Sequence, residues 1–180
     1  MSKAFTQIEQ ALSKTQRFSF TKESLIQIEK IKRKYPESKP ESALLEILLL
    51  AQRQNEGWIS HPALEAVAVG VNLPVMKVLE VASFYPLLSL KPVGSHCVRI
   101  CTTTACWLKG STDLGRACQK WLGIGWEETT VDGMFTLKEV PCLGDCTKAP
   151  AVQINETLRG NLNAREMTHL LQALAESVKK

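Results

Sequence analysis

The sequence predicts a mixed α+β protein in two parts, a helical bundle followed by a compact α/β unit. Three observations carry that expectation. Apolar residues recur at helical spacing through the first half, between residues able to cap or break helices. Pro86, Pro92 and Gly94 then interrupt the chain. Beyond them, short alternating runs are interleaved with helical ones. The boundary is set within residues 86–94, giving a bundle over residues 1–90 and a second domain over 91–180.

In the bundle, Phe20-Thr21 reads as an apolar residue before an N-cap, and Leu25, Ile28, Ile31 and Tyr35 define the inward stripe of a helix that Pro36 stops. The run Lys30, Lys32, Arg33, Lys34 falls in its last turn, where positive charge complements the helix dipole. Ser42 is placed to cap a second helix carrying Leu44, Leu45, Ile47, Leu48, Leu49 and Leu50, whose many apolar faces imply a central, buried position. Gly57 ends it. Ser60 and Pro62 open a third helix that Gly70 is expected to close, and Asn72 with Pro74 opens a fourth, turning Val75, Val78, Leu79 and Ala82 inward.

In the second half, His96 to Cys101 alternates about Val98 and Ile100 and reads as a strand. Leu108 to Leu122 reads as one helix, Met134 to Val140 and Ala151 to Ile154 as strands, and Asn163 caps a last helix carrying Met167, Leu170, Leu171 and Leu174.

Composition excludes several classes. With 44% apolar and 22% charged residues the chain can bury a core, so disorder is not expected. Each half holds 11 Lys/Arg against 9 Asp/Glu, so neither is a concentrated nucleic-acid-binding module. The pair of helices around Gly70-Val71-Asn72-Leu73 has helix-turn-helix size, yet its second helix offers only Lys77 and Glu80 to read bases. Met1 to Gln10 lacks the basic start and apolar run of an export signal, and no apolar stretch approaches the roughly 20 residues of a membrane span. A cytosolic protein without direct membrane insertion is expected, and its six cysteines then point to metal or redox chemistry before disulfides.

The cysteines concentrate the chemistry. Cys101 and Cys106 enclose Thr102, Thr103, Thr104 and Ala105, and Cys142 and Cys146 enclose Leu143, Gly144 and Asp145. Four thiolates select soft metals, chiefly zinc or iron–sulfur clusters. Structural zinc sites and dithiol enzymes both favour a two-residue gap, which occurs nowhere here, so a 2Fe-2S cluster is the better reading. Sulfurs of such a cluster need hydrogen-bond donors, which the three threonines and the backbone at Gly144 can supply, and Gly144 can adopt positive φ. Cys97 lies about 13 Å from Cys101 at strand rise, too far to share an iron, and Cys118 falls mid-helix among apolar residues, so both are read as core filler. Trp107 is expected to pack over the site. His61, His96 and His169 are scattered and carry no ligand role, no catalytic side chain is assigned, and neither a dinucleotide fingerprint nor a phosphate loop is present.

The stretches Ser42-Ala43-Leu44-Leu45, Gln52 to Trp58, Val81 to Tyr85, Leu90 to Gly94, Cys101 to Gly110, Phe135-Thr136-Leu137 and Cys142 to Pro150 together resemble the family of E-type subunits of NADH-quinone oxidoreductase, the thioredoxin-like 2Fe-2S ferredoxins of respiratory complex I. The likeness runs from about Phe18 to Leu174. It implies a thioredoxin-like second domain in which Cys101, Cys106, Cys142 and Cys146 bind one 2Fe-2S cluster. It also implies a partner subunit carrying FMN and oxidising NADH, further iron–sulfur subunits leading to quinone, and attachment to the inner face of the cell membrane through the complex. This chain would then be an electron-transfer subunit of an oxidoreductase, not catalytic alone.

The sequence departs from the family at Ala105, where proline is frequent, at Asp145, where a small neutral residue is common, and over Glu156 to Gly160, which replaces an acidic, tyrosine-containing stretch. Two alternatives stay open: the same family type serving an NAD-linked formate dehydrogenase or hydrogenase, and a structural zinc module acting in protein interaction.

Overall fold

In the computed structural model, which describes residues 17–177, Thr21 starts the first helix, α1 (Lys22–Lys32), and its hydroxyl accepts a hydrogen bond from the Ser24 amide at 3.2 Å. The reading of Met1 to Gln10 lies outside the described residues. The buried stripe of α1 runs through Ser24 and Ile28, four residues apart, which leaves Leu25 turned outward, contrary to expectation. At its end the Lys34 ammonium and the Tyr35 hydroxyl both reach Glu46, and these hydrogen bonds, Lys34's first, hold the Glu46 carboxyl below its ordinary range. The basic run is thus partly spent on tying α1 to the next helix.

That helix, α2 (Leu44–Gln54), is preceded by a 3-10 turn over Pro40–Ala43. Ser42 sits inside this turn and does not cap α2, because the proline's fixed φ starts a helical turn two residues earlier. Leu44, Ile47, Leu48, Leu50 and Ala51 are buried. So is Gln52, whose side chain donates to the Leu87 carbonyl (3.1 Å) and accepts from the Ser89 amide (2.7 Å). A buried amide satisfied on both sides fixes the following loop to the bundle.

Ser60 caps α3 (His61–Val71) as expected, with Pro62 in the first turn. Gly70 does not end α3. Asn72 does, in the left-handed conformation at φ 55°, which asparagine tolerates better than most residues. Pro74 precedes α4 (Val75–Phe84), whose Val78 and Ala82 join Ile47, Leu48 and Val67 in the bundle core. Helices α3 and α4 meet at 114°, and among the described residues no single helix is long and apolar enough to cross a membrane.

The chain divides into two compact units, Met1–Pro92 and Val93–Lys180. The second opens with β1 (His96–Cys101), followed by α5 (Thr104–Leu108) and α6 (Ser111–Leu122). The single helix expected over Leu108–Leu122 is two, because Gly110 takes φ 89° between them and redirects the chain. Then come β2 (Glu128–Thr129), β3 (Phe135–Val140), a 3-10 turn at Cys146–Lys148, β4 (Val152–Ile154), β5 (Thr157–Arg159) and α7 (Ala164–Ser177).

The five strands form one sheet in the order β2-β3-β1-β4-β5. Strands β1 and β3 are parallel and the remaining neighbours antiparallel. The short, exposed edge strands β2 and β5 had no alternating apolar pattern by which to be foreseen. The larger of its buried clusters lies between the sheet and the helices. Val98, Ile100, Phe135, Leu137, Val152 and Ile154 from the sheet pack with Leu114 and Cys118 of α6 and with Met167 and Leu171 of α7. Asn163 caps α7 in a reciprocal pair: its side chain accepts from the Glu166 amide (3.0 Å), and the Glu166 carboxylate accepts from the Asn163 amide (2.9 Å).

Candidate metal centre

The parallel pairing of β1 and β3 decides where the cysteines meet. Cys101, the last residue of β1, stands opposite Val140, the last of β3. Both loops therefore leave the same end of the sheet, and the start of β4 comes up beside them, the Cys101 amide donating to the Ala151 carbonyl at 3.1 Å.

Around the first pair the structure builds an apolar, donor-bearing cradle. Cys101 and Cys106 are each 1% exposed, packed with Ala149, Ala151 and Leu143. The Thr103 hydroxyl lies 3.2 Å from the Cys101 sulfur, and the Ala151 amide donates to the Cys106 sulfur at 3.4 Å. Thr103 is also the N-cap residue of α5, yet its side chain makes no cap bond and turns to the sulfur instead. Burial alone would push the Cys101 thiol up, but hydrogen bonds from the Thr103 hydroxyl and amide, from Cys106 and from the Leu143 amide together bring it below the ordinary cysteine value. Burial leads for Cys106 as well and here prevails. The Ala151 amide opposes it, while negative charge on Cys101 and Cys146 adds to the rise. Leu143, from the second loop, packs against the first pair, so the two loops lie side by side.

The second pair is exposed. The Gly144 amide donates to the Cys142 sulfur at 3.4 Å, and Gly144 takes φ 78°, as its place between two candidate ligands suggested. Asp145 accepts from the Thr147 hydroxyl at 3.1 Å and lies 4.0 Å from the Lys148 ammonium. Its charge is thus partly neutralised, which the sequence did not reveal. The Ala149-Pro150 bond is cis.

The remaining expectations divide. Cys97 and Cys118 are buried, and burial raises both thiols, Cys118 to about 12. In full-length protein stripped of metal, iodoacetamide is expected to modify Cys142 and Cys146 well before Cys97 or Cys118, as read by peptide mass spectrometry. His61 and His169 are exposed, and His96 stacks against Phe135 at 5.3 Å. Trp107 does not cover the site: it is 60% exposed, because α5 turns its one buried residue, Cys106, inward and its neighbours outward. Sequence reasoning missed the Ala151 amide and Leu143. Nothing in an alanine at a strand's start signals that its N–H faces a sulfur.

The donor set fits a 2Fe-2S cluster: four thiols on two loops, N–H and O–H donors on three of the sulfurs, and open space beside Gly144. Among the described residues no group of three or more His, Cys, Asp or Glu closes on a point as one metal ion requires. A two-iron cluster spreads its ligands over two metal atoms.

A thioredoxin-like α/β unit with four thiols gathered at one end of its sheet defines a protein equipped for sulfur-ligated redox chemistry. Comparison with known proteins narrows this. The chain belongs to the thioredoxin-like 2Fe-2S ferredoxin family, whose sequence profile matches residues 28–175. It is 46% identical over 162 residues to the E-type subunit of the NADH-quinone oxidoreductase of Rickettsia bellii, covering 90% of this chain and 97% of that protein. It is 44% identical over 157 residues to the mitochondrial NADH dehydrogenase (ubiquinone) flavoprotein 2 of Dictyostelium discoideum, of whose length it spans 64%. Among solved structures, the air-oxidised NAD+-reducing NiFe hydrogenase superposes with a TM-score of 0.60 at 21% identity, over 73% of this chain and 23% of the hydrogenase chain. The H2-reduced form gives 0.58 at 22%, over 72% and 22%. At these identities the likeness concerns the fold, and this chain spans about a quarter of those chains.

Proposed function

We propose that this chain is the electron-transfer subunit of an NADH-quinone oxidoreductase. In this reading Cys101 and Cys106 grip one iron of a 2Fe-2S cluster, Cys142 and Cys146 grip the other, and a separate subunit binds FMN and oxidises NADH. The observation that carries it is the convergence of both cysteine loops at one end of the parallel β1–β3 pair, where Leu143 of the second loop packs on the first thiol pair. When bound, such a cluster supplies a reversible one-electron store.

The chain's own residues do the rest. Ala149, Ala151 and Leu143 keep water from the first thiol pair, while the Thr103 hydroxyl and the Ala151 and Gly144 amides direct partial positive charge at sulfur. The exposed second pair faces outward, where a partner can approach. With no nucleotide-binding motif of its own, the chain depends on that partner for NADH, and on the assembled complex for its place at the inner face of the cell membrane.

The test is direct. Full-length protein purified without air is expected to be reddish brown, to contain two irons and two sulfides per chain, and to become paramagnetic on reduction. One zinc with no iron or sulfide would replace this reading with the structural zinc module. Isolating the native complex identifies the flavin-bearing partner. Co-purification with hydrogenase subunits would favour a second reading, an NAD-linked hydrogenase module, to which the shared fold lends support.

Asp145 and Lys148 allow a signed prediction. Asp145→Ala removes an anion beside Cys146 and is expected to raise the reduction potential, while Lys148→Ala uncovers that anion and lowers it. Shifts of tens of millivolts suit partly screened charges. Redox titration followed by electron paramagnetic resonance reads both; shifts of equal sign would contradict the assignment.

A further inference from the structure

Three threonines stand between Cys101 and Cys106, and the fold sends one of them to sulfur. Cys101 ends β1 and Thr103 is extended (φ −72°, ψ 167°), the kind of backbone that brings side chains two apart to one side. The Thr103 hydroxyl lies 3.2 Å from the Cys101 sulfur. Thr102 is held through its backbone, its amide donating to the Val140 carbonyl at 3.2 Å, and Thr104 is exposed at the start of α5.

What else faces the sulfur sets the direction of this bond. The Cys101 thiol gives its single proton to the Pro141 carbonyl at 3.4 Å, which leaves the Thr103 hydroxyl as the donor to sulfur. A Cys101 thiolate has no proton to give. The Pro141 carbonyl then turns a lone pair toward negative sulfur, and the Thr103 hydroxyl is the side-chain group placed to offset it. The same hydroxyl is diverted from another task. Thr103 is the N-cap of α5, where a threonine hydroxyl ordinarily accepts from an amide of the first turn, and here it makes no such bond.

We infer that Thr103 is a positioning residue acting on the centre through Cys101: in the cluster-loaded chain its hydroxyl donates to the Cys101 sulfur and raises the reduction potential, which Thr102 and Thr104 do not. This rests on the four ligands proposed above and names the side chain that tunes them. A donor at sulfur stabilises the more negative, reduced form more than the oxidised one. Burial strengthens the effect, because Cys101 is 1% exposed among Ala149, Ala151 and Leu143 and little water competes for its sulfur.

The test uses the full-length chain purified with its cluster, reduced with dithionite, its midpoint potential read by electron paramagnetic resonance. Thr103→Val and Thr103→Ala are each expected to lower the midpoint, Thr103→Ser to keep it near wild type, and Thr102→Val and Thr104→Val to leave it unchanged. Valine and alanine differ in shape, so if one variant fails to load, the other decides. Electron–nuclear double resonance in H2O and D2O gives a second readout: an exchangeable proton coupled to the reduced cluster is expected in wild type and Thr103→Ser and is missing from Thr103→Val. Thr103→Asp separates helix capping from donation to sulfur. Aspartate caps a helix at least as well as threonine, yet it places an anion against the sulfur and donates nothing, so a lower midpoint than in Thr103→Val, or less cluster, is expected. Wild-type behaviour of Thr103→Asp would make Thr103 a helix cap and overturn the inference. So would an unchanged midpoint in both Thr103→Val and Thr103→Ala, or a fall in Thr103→Ser as large as theirs. Each of these leaves the four-thiolate reading intact, whereas a wild-type chain holding zinc or no cluster would overturn both.

Discussion

Serine in place of any one of Cys101, Cys106, Cys142 or Cys146 is expected to abolish or strongly perturb the visible iron–sulfur absorption, whereas Cys97→Ser and Cys118→Ser retain it. Serine keeps the shape of cysteine but replaces a soft, readily ionised sulfur with a hard hydroxyl, which holds iron of a sulfide cluster poorly. The loss is expected to be most complete at Cys101 and Cys106. There a hydroxyl would sit almost fully buried among Ala149, Ala151 and Leu143 with little water to replace the missing ligand. At Cys142 and Cys146 exposure leaves room for a substitute, so a distorted and shorter-lived cluster is the expected form. Iron and sulfide analysis with the electron paramagnetic resonance spectrum separates these outcomes. Cys118→Ser carries its own signature, a stability loss of about 1–3 kcal/mol from burying a hydroxyl in the α6 core, with the cluster spectrum intact. A cluster lost on Cys97→Ser alone would mean that the four ligands are wrongly chosen.

Gly160→Ala is expected to have the largest effect of any change outside the cysteines. A Cβ at this position would fall 2.6 Å from the Cβ of Lys148 and closer still to the Lys148 carbonyl oxygen, so backbone has to move. The same carbonyl accepts the Asn161 amide at 2.8 Å, and the turn being displaced, Cys146–Lys148, begins at a proposed ligand. Overpacking of this kind costs about 1–3 kcal/mol, corresponding to a fall of about 5–15 °C in the melting temperature of a unit this size. Faster loss of the cluster under air is expected alongside it. Gly70→Ala is the contrast. That glycine lies within α3 with nothing inside 4 Å of a new Cβ, so alanine is expected to stabilise the bundle by up to about 1 kcal/mol. Equal melting temperatures for Gly160→Ala and wild type would show that the Lys148 turn yields freely.

Much of this protein is written locally. The cap and proline signals at Thr21, Ser60 and Pro74 and the reciprocal pair Asn163–Glu166 are read from neighbours in the chain, because helix ends are satisfied by residues three or four away. The cysteine spacing, the threonines between the first pair and Gly144 within the second were legible for the same reason, as was the family likeness they carry. Local signals failed where a stronger neighbour competed. Pro40 pre-empted Ser42, Gly110 cut a helix that apolar periodicity ran through, and Asn72 took the left-handed turn expected to fall to Gly70.

Other features depend on contacts distant in sequence. That the two cysteine loops share one end of the sheet follows from the parallel register of β1 and β3, a pairing of residues about 40 apart that no local pattern states. The Ala151 amide reaches Cys106 across 45 positions, and the Gly160 contact with Lys148 bridges the end of β5 and the second loop. Trp107 was expected to shield the centre and instead faces solvent, since a five-residue helix can turn only one side inward and Cys106 occupies it. By itself the sequence supplied the side chains proposed for this chemistry, because residue type and spacing are local properties. Only the tertiary structure decided which sulfurs are dry, which are open and which backbone donors face them, because burial and hydrogen bonding at that centre are set by strands and loops that meet only when the sheet has formed.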